Sequence, residues 1–222
     1  MPTYAPLTWD DLGKKRYESG VSNGVLYPMV DGAYPKGVAW NGLTGVTESP
    51  EGAEPTDLWA DNIKYATLRS AETFGGTIEA YTYPDEFAEC DGSHTDTSGA
   101  KLGQQKRTPF GFCYRTEIGD DANPNRGYLL HVVYNATASP SEKSYETIND
   151  SPDAITFSWE FDTTPVRIEG EAYKDLKPIS TIVFDSTVTN LTNVEAALYG
   201  TDQADAYLPA PAALLALATK KS

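Results

Sequence analysis

Residues 58–87, LWADNIKYATLRSAETFGGTIEAYTYPDEF, decide the fold. The stretch reads as two or three strands in quick succession, since residues 59–69 and 74–83 are each rich in aromatic and β-branched side chains. Glu72 and Thr73, with Gly75-Gly76 just after them, predict a turn or a bulge. Pro84 has no N–H to give to a ladder, so the second run stops there. Asp85, Glu86 and Glu89 then suit the first turn of a short helix, and Gly92 is placed to end it.

Working outward, residues 155–162 alternate most clearly. Ile155, Phe157, Trp159 and Phe161 point one way, and Thr156, Ser158, Glu160 and Asp162 point the other. One face of that strand packs in a core and the opposite face meets water or a polar surface. Residues 21–30, with Asn23-Gly24 inside, carry the strongest short hairpin signal in the chain. Residues 38–46, 108–118, 128–135, 166–172 and 179–184 are further strand candidates. The GDDANPNRG turn joining two of them imitates the start of a calcium loop at Asp121, Asn123 and Asn125. Its Gly falls one place late, and Val132 stands where the closing Glu belongs, so turn chemistry explains it.

Thr8 with Asp11 and Thr192 with Glu195 are capping-box signatures. The second predicts a helix over residues 193–199 that buries Val194, Ala197 and Leu198 and stops at Gly200. Pro209 or Pro211 opens a last short helix ending near Thr219. Three polar segments read as exposed loops: 48–56, with Pro50, Gly52 and Pro55; 91–107, nearly devoid of large apolar groups; and 139–153. The expected fold is mainly β, two sheets packed as a sandwich or flattened barrel with one or two short helices. It forms one domain over residues 1–222, with an N-terminal arm at 1–20 and a C-terminal helical segment at 186–222.

Fourteen Tyr against two Met favour strands over helical bundles. The net charge of −15 argues against a protein that grips nucleic acid, which carries a basic face. Cys90 and Cys113 do not make a disulfide framework and are expected as neutral, buried thiols. The start MPTYAPLTWDDLG has no signal-peptide pattern, and the longest apolar stretch, 208–218, is too short for a bilayer span of about 20 residues. His94 lies in a polar loop and His131 in an apolar strand. There is no nucleophile elbow, phosphate loop, dinucleotide fingerprint or zinc-protease helix. The expectation is a protein without catalytic residues, cofactor or metal site.

Five stretches together resemble one family. They are YESGVSNGVLYP (Tyr17 to Pro28), DLWADNIKY, TIEAYTYPDEFAECDG, FSWEFDTTPV (Phe157 to Val166) and ALYGTDQADAYLPAP (Ala197 to Pro211). In this order they resemble the major tail proteins of long-tailed, non-contractile bacteriophages, over residues 9–218. The resemblance implies a structural subunit of the virion, assembled in the host bacterial cytoplasm. Hexameric rings would stack into a hollow tube that conducts DNA during ejection. The implied partners are further copies of the chain, the tape-measure protein, and the tail terminator and distal tail proteins, with DNA passing through unbound and no membrane involved.

A wall of carboxylates repels DNA, whose duplex carries one negative charge per about 1.7 Å. That logic makes Glu160, Asp162 and Glu79 the candidates for lining the bore. The two long loops, with Glu51, Glu54, Asp91, Asp96 and Lys101, and the N-terminal arm are the candidates for ring stacking. A reading from another class is a carbohydrate- or receptor-binding β-sandwich of a phage tail tip, resting on Trp40 and Trp59 beside loops. Tube subunits of contractile machines and gene transfer agents share the architecture implied by the resemblance.

Overall fold

In a computed structural model of the chain, which describes residues 7–52, 54–145, 147 and 154–221, the fold is mainly β, 47% strand against 11% helix. The elements run β1 (Tyr17–Pro28), β2 (Val38–Trp40), β3 (Leu43–Gly52), β4 (Pro55–Ala60), β5 (Ile63–Arg69), β6 (Glu72–Ala80) and α1 (Phe87–Cys90). They continue with β7 (His94–Thr95), β8 (Lys101–Leu102), β9 (Phe110–Gly119), β10 (Gly127–Ala138), β11 (Phe157–Thr163) and β12 (Thr181–Asp185). The last are β13 (Thr189–Asn190), α2 (Thr192–Tyr199), α3 (Pro211–Leu217) and β14 (Thr219–Lys220).

The main sheet has the order β2-β1-β9-β10-β11-β6-β3, and every pairing is antiparallel. β10 is where it forks. Its first half, Leu129 to Val133, pairs with β12, and its second half, Ala136 to Ala138, pairs with β11. The change of partner falls at a bulge at Tyr134 and Asn135, where Asn135 takes a left-handed φ of 50°. Three of the backbone groups there find a replacement. Tyr134 N donates to Ser180 O (2.8 Å), Asn135 N to the Tyr34 hydroxyl (3.0 Å) and Thr164 N to Asn135 O (3.1 Å). The Asn135 amide donates to Thr164 O at 3.1 Å.

Because of the fork, the central strands are covered on both sides. Alternate residues of β1, β9 and β10 enter two separate cores. Val25, Tyr27, Cys113, Leu130 and Val132 meet Val194 and Leu198 of α2 and Leu214 of α3. Leu26, Phe112, Tyr114 and Val133 meet Ile78, Trp159 and Phe161, which β6 and β11 fold over them, with Trp40 and Phe87 between. Burying a side chain of this size contributes roughly 1.5–3 kcal/mol before entropy is subtracted. The Tyr27 hydroxyl donates to Leu198 O at 2.6 Å and ties α2 to the sheet. Arg115 does the same from β9: its guanidinium lies between the Tyr128 and Tyr199 rings and meets Glu195 at 2.6 Å.

Several expectations are corrected. Asn23-Gly24 makes no hairpin. β1 runs through it, and Asn23 at φ 51° falls in a stretch where the register with β9 shifts twice. Residues 48–56 are not a loop, since β3 stays paired with β6 to Gly52 and β4 resumes at Pro55. Pro50 is tolerated because β3 is an edge strand whose outer side owes no ladder bond. Residues 58–87 hold the end of β4 with all of β5 and β6, within the two or three strands expected there, and β4 and β5 turn at Asp61-Asn62, both with positive φ as a two-residue primed turn needs. Residues 91–107 contain the small β7–β8 hairpin.

Both capping boxes fail to close. Thr8 donates to Asp11 at 2.9 Å but no helix follows, and Thr192 donates instead to Asn190 Oδ1 at 2.9 Å. Residues 166–172 form no strand beyond an isolated Val166–Ile179 bridge. The helices expected after Pro84, at 193–199 and after Pro211 are present as α1, α2 and α3. Of the polar stretch 139–153, residues 146 and 148–153 lie outside the described residues.

Replacing Asn135 by Ala should destabilise the protein by about 1–2 kcal/mol, through left-handed strain and a lost hydrogen bond. Gly at the same position should cost less. Urea denaturation of the two variants checks the difference.

Candidate assembly surfaces

Residues directly opposite one another in an antiparallel pair share a face. Ser158, Glu160 and Asp162 of β11 stand opposite Glu79, Thr77 and Gly75 of β6. On the other side of β6, Gly45, Thr47, Ser49 and Glu51 of β3 stand opposite Glu79, Thr77, Gly75 and Thr73. The register therefore brings Glu79, Glu160, Asp162 and Glu51 onto one solvent-facing side, while Ile78, Trp159 and Phe161 fill the core behind it. A shallow groove of about 180 Å³ runs over this side. Ser49, Glu51, Thr73, Thr77, Glu160 and Asp162 line it, and no Lys or Arg does. Gly76 permits the close approach of β3: a Cβ there would lie 2.3 Å from Thr47 O. Glu51, expected in a stacking loop, belongs to this face instead.

Glu48 lies on the inner side of β3 and braces that edge strand to the sheet opposite. Its Oε1 accepts from the Tyr114 hydroxyl at 2.5 Å and lies 3.2 Å from His131 Nδ1. The His131 ring stacks on Tyr114 with centroids 4.6 Å apart. Hydrogen bonding to His131, and then to Tyr114, holds the Glu48 carboxyl below its ordinary value against the opposing effect of burial.

Beyond Gly52, β4 and β5 form a separate two-stranded arm, paired with no other strand among the described residues. Its register puts Leu58, Ala60, Ile63, Ala66 and Leu68 on one side. Asp57, Trp59, Lys64 and Thr67 lie on the other, where Asp57 meets Lys64 at 2.7 Å and Thr67 at 2.8 Å. Ile63 is 64% exposed and Trp59 68%. A lone two-stranded ribbon is marginal in water, and contiguous exposed apolar surface marks an interaction site. Tyr81, Leu102 and Ile155 are exposed at the other end of β6, around Tyr83. Lys101 Nζ stands 5.2 Å and Lys143 Nζ 5.8 Å from the Tyr83 ring.

The remaining sequence candidates are dispersed. The Asp91 carboxylate is enclosed and paired with Lys143 at 2.6 Å, so it is engaged within its own chain. Asp96 accepts from Ser98 N and Oγ and shapes the β7–β8 turn. Lys101 lies 3.9 Å from Asp85, and Glu54 is exposed between β3 and β4. Trp40 is buried against Phe87, Phe112 and Trp159, which removes it from any sugar-binding surface. Cys90 and Cys113 are free and buried, and burial pushes both thiols up to about 12. Asp121 accepts from Gly13 N at 2.8 Å and Asn123 from Asn125 N at 3.0 Å. Their neighbour Asp120 is enclosed and paired with Arg126 at 2.6 Å, a contact the calcium-like pattern did not suggest.

Among the described residues no group of three or more His, Cys, Asp or Glu is arranged to hold a metal, and no helix is long and apolar enough to cross a membrane. The chain matches no protein-family model and no curated protein.

Glu48 has a depressed folded-state pKa. Its contribution to stability is therefore present above its ordinary value of 4.5 and is lost as pH falls through the lower folded value. Stability of the wild type should fall with pH over that window. Glu48→Gln should be less stable at neutral pH and should show a shallower decline below about pH 4.5. Thermal melts from pH 7 to pH 3 read both.

Proposed function

We propose that the protein is the tail-tube subunit of a non-contractile phage tail. In this reading copies of the chain close into hexameric rings, the rings stack into a hollow tube, and DNA passes through the bore during ejection. The observation that carries the proposal is the gathering of Glu51, Glu79, Glu160 and Asp162 on one polar sheet face with no cation in its groove. That face is bordered by β3, whose outer edge has no ladder partner among the described residues. Pairing of that edge with a neighbouring copy satisfies its backbone groups and continues the polar face around a ring.

The dimensions are compatible with this. Four strands per copy, β3, β6, β11 and the second half of β10, at about 4.8 Å spacing give six copies a backbone circumference of roughly 115 Å. The diameter is then roughly 37 Å before strand tilt and side chains are allowed for. Carboxylates repel a polyanion over about 8 Å at physiological salt, so acids on the wall act where DNA would slide. The arm and the Tyr83 end lie at opposite ends of β6, so contact between them in successive rings is head-to-tail and propagates along an axis. In this reading the other partners are the tape-measure protein and the proteins that terminate the tail at each end, and the protein resides in the virion.

Three outcomes check the reading. Purified protein at high concentration should show rings or tubes by negative-stain microscopy. A monomer at every concentration, or a cryo-EM map placing Glu160 and Asp162 on the outer wall, would sink it. Tubes of the Glu160→Lys/Asp162→Lys variant should retain duplex DNA in low-salt sedimentation, with retention falling steeply as salt rises, whereas wild-type tubes should retain none. Ile63→Glu should change the stability of the single subunit by less than about 0.5 kcal/mol, since the site is exposed, yet shorten or abolish stacks.

A further inference from the structure

The chain has two Asn-Gly dipeptides, Asn23-Gly24 and Asn41-Gly42. The fold brings both to one groove of about 400 Å³ between β1, β2 and the start of β3. Leu43 and Tyr199 also line it, and no charged side chain does. An asparagine before glycine is chemically exposed, because glycine has no Cβ to shield its own nitrogen from the carboxamide that precedes it. The two dipeptides differ in how the fold holds them.

Asn41-Gly42 is the two-residue turn between β2 and β3, and both residues are exposed. The peptide that joins them is unengaged: neither Asn41 O nor Gly42 N makes a backbone hydrogen bond among the described residues. Only the flanks are fixed. Trp40 Nε1 donates to Thr82 O at 2.9 Å, and Tyr81 N donates to Gly42 O at 2.8 Å. Gly42 stands at φ 76° and accepts either sign of φ, so the peptide before it is free to rotate.

Asn23-Gly24 is held. Gly24 is buried, it stands opposite Trp40 in the β1–β2 ladder, and a Cβ on it would lie 2.2 Å from Leu43 Cδ1. Asn23, at φ 51°, is confined to the left-handed region, where ψ is about +30 to +60°. That ψ turns its Cβ nearly opposite the next backbone nitrogen, which keeps the carboxamide carbon out of reach.

We infer that Asn41 is a site of self-modification, converting to aspartate and isoaspartate, and that the fold protects Asn23 from the same reaction. The Gly42 nitrogen, having lost its proton to hydroxide, attacks Asn41 Cγ. A new C–N bond closes a succinimide ring, and the carboxamide nitrogen takes a proton from water and leaves as ammonia. Water then opens the ring. Breaking the new bond gives aspartate, and breaking the original peptide bond gives isoaspartate, whose main chain runs through Cβ. The balance is one water taken up and one ammonia released. Either product brings a negative charge into a groove that has none, and isoaspartate also lengthens a turn whose ends are tied to Tyr81 and Thr82.

Full-length protein is kept in mildly alkaline buffer at physiological temperature, and both sites are followed by mass-spectrometric peptide mapping. An isoaspartate-specific carboxyl methyltransferase reads the isomer. Asn41 should convert steadily, faster as pH rises, with isoaspartate accumulating at that position. Asn23 should convert at least about tenfold more slowly, because the ladder at Gly24 must open first. In urea-unfolded protein the two sites should react at similar rates, which makes the difference a property of the fold. Asn41→Gln should abolish isoaspartate at position 41 and leave the rate at Asn23 unchanged. An Asn41 that stays intact for as long as the unfolded chain takes to convert overturns the inference, and so does an Asn23 that keeps pace with Asn41 in the folded protein.

Discussion

The fold depends on one constraint: the backbone of β10 must be satisfied on both edges along twelve residues, and no single neighbour does this on its outer side. The chain meets the constraint by spending two residues on a bulge and changing partners there. Tyr134 and Asn135 pass their backbone bonds to Ser180, Tyr34 and Thr164, so the switch leaves these groups bonded. The Thr163 hydroxyl lies 2.5 Å from Phe74 O and 2.7 Å from the Ser180 hydroxyl, which stitches the two departing branches together. One branch carries β12 under the helices, and the other carries β11, β6 and β3 over the aromatic core. The polar face exists because the second branch has a core behind it and, among the described residues, no strand or helix in front of it.

Much of this was legible in the sequence where local pattern and tertiary environment agree. The alternation at Phe157 to Asp162 marked a strand with one buried face, and Glu160 and Asp162 are on the open side. The same alternation is hidden in β9 and β10 because both their faces are buried, so Phe112, Cys113 and Tyr114 read as one apolar run. Pattern also could not say which strands lie side by side. Glu51 and Asp162 are 111 positions apart in the chain and share a groove only through the register of β3, β6 and β11.

The misreadings have physical causes too. Asn23-Gly24 has the chemistry of a tight turn, and β1 uses the left-handed preference of Asn23 for a bulge instead. Pro50, Gly52 and Pro55 look like loop punctuation, yet on an edge strand a missing N–H breaks no ladder. Thr192 and Glu195 have the spacing of a cap, but Arg115 attracts the carboxylate across the sheet. A charged partner 80 residues away outbid a local backbone bond, and nothing in the helix sequence signals that competition.

The ladder that builds the polar face stops at Gly52 and Glu72, and a separate ladder between the same two runs of chain begins at Pro55 and Arg69. In chain order β3 is followed by β4, and β5 by β6, so the β4–β5 arm is joined to the acidic sheet through both of its strands. Its rungs lie perpendicular to the strands. Tension applied at the Asp61-Asn62 tip and directed along the strands pulls β4 and β5 the same way, so it loads in shear the rungs between β6 and β11 rather than those within the arm. The body of the subunit is thus coupled mechanically to whatever grips the arm, and a bend or stretch imposed from outside is carried along the ribbon into the middle of the sheet.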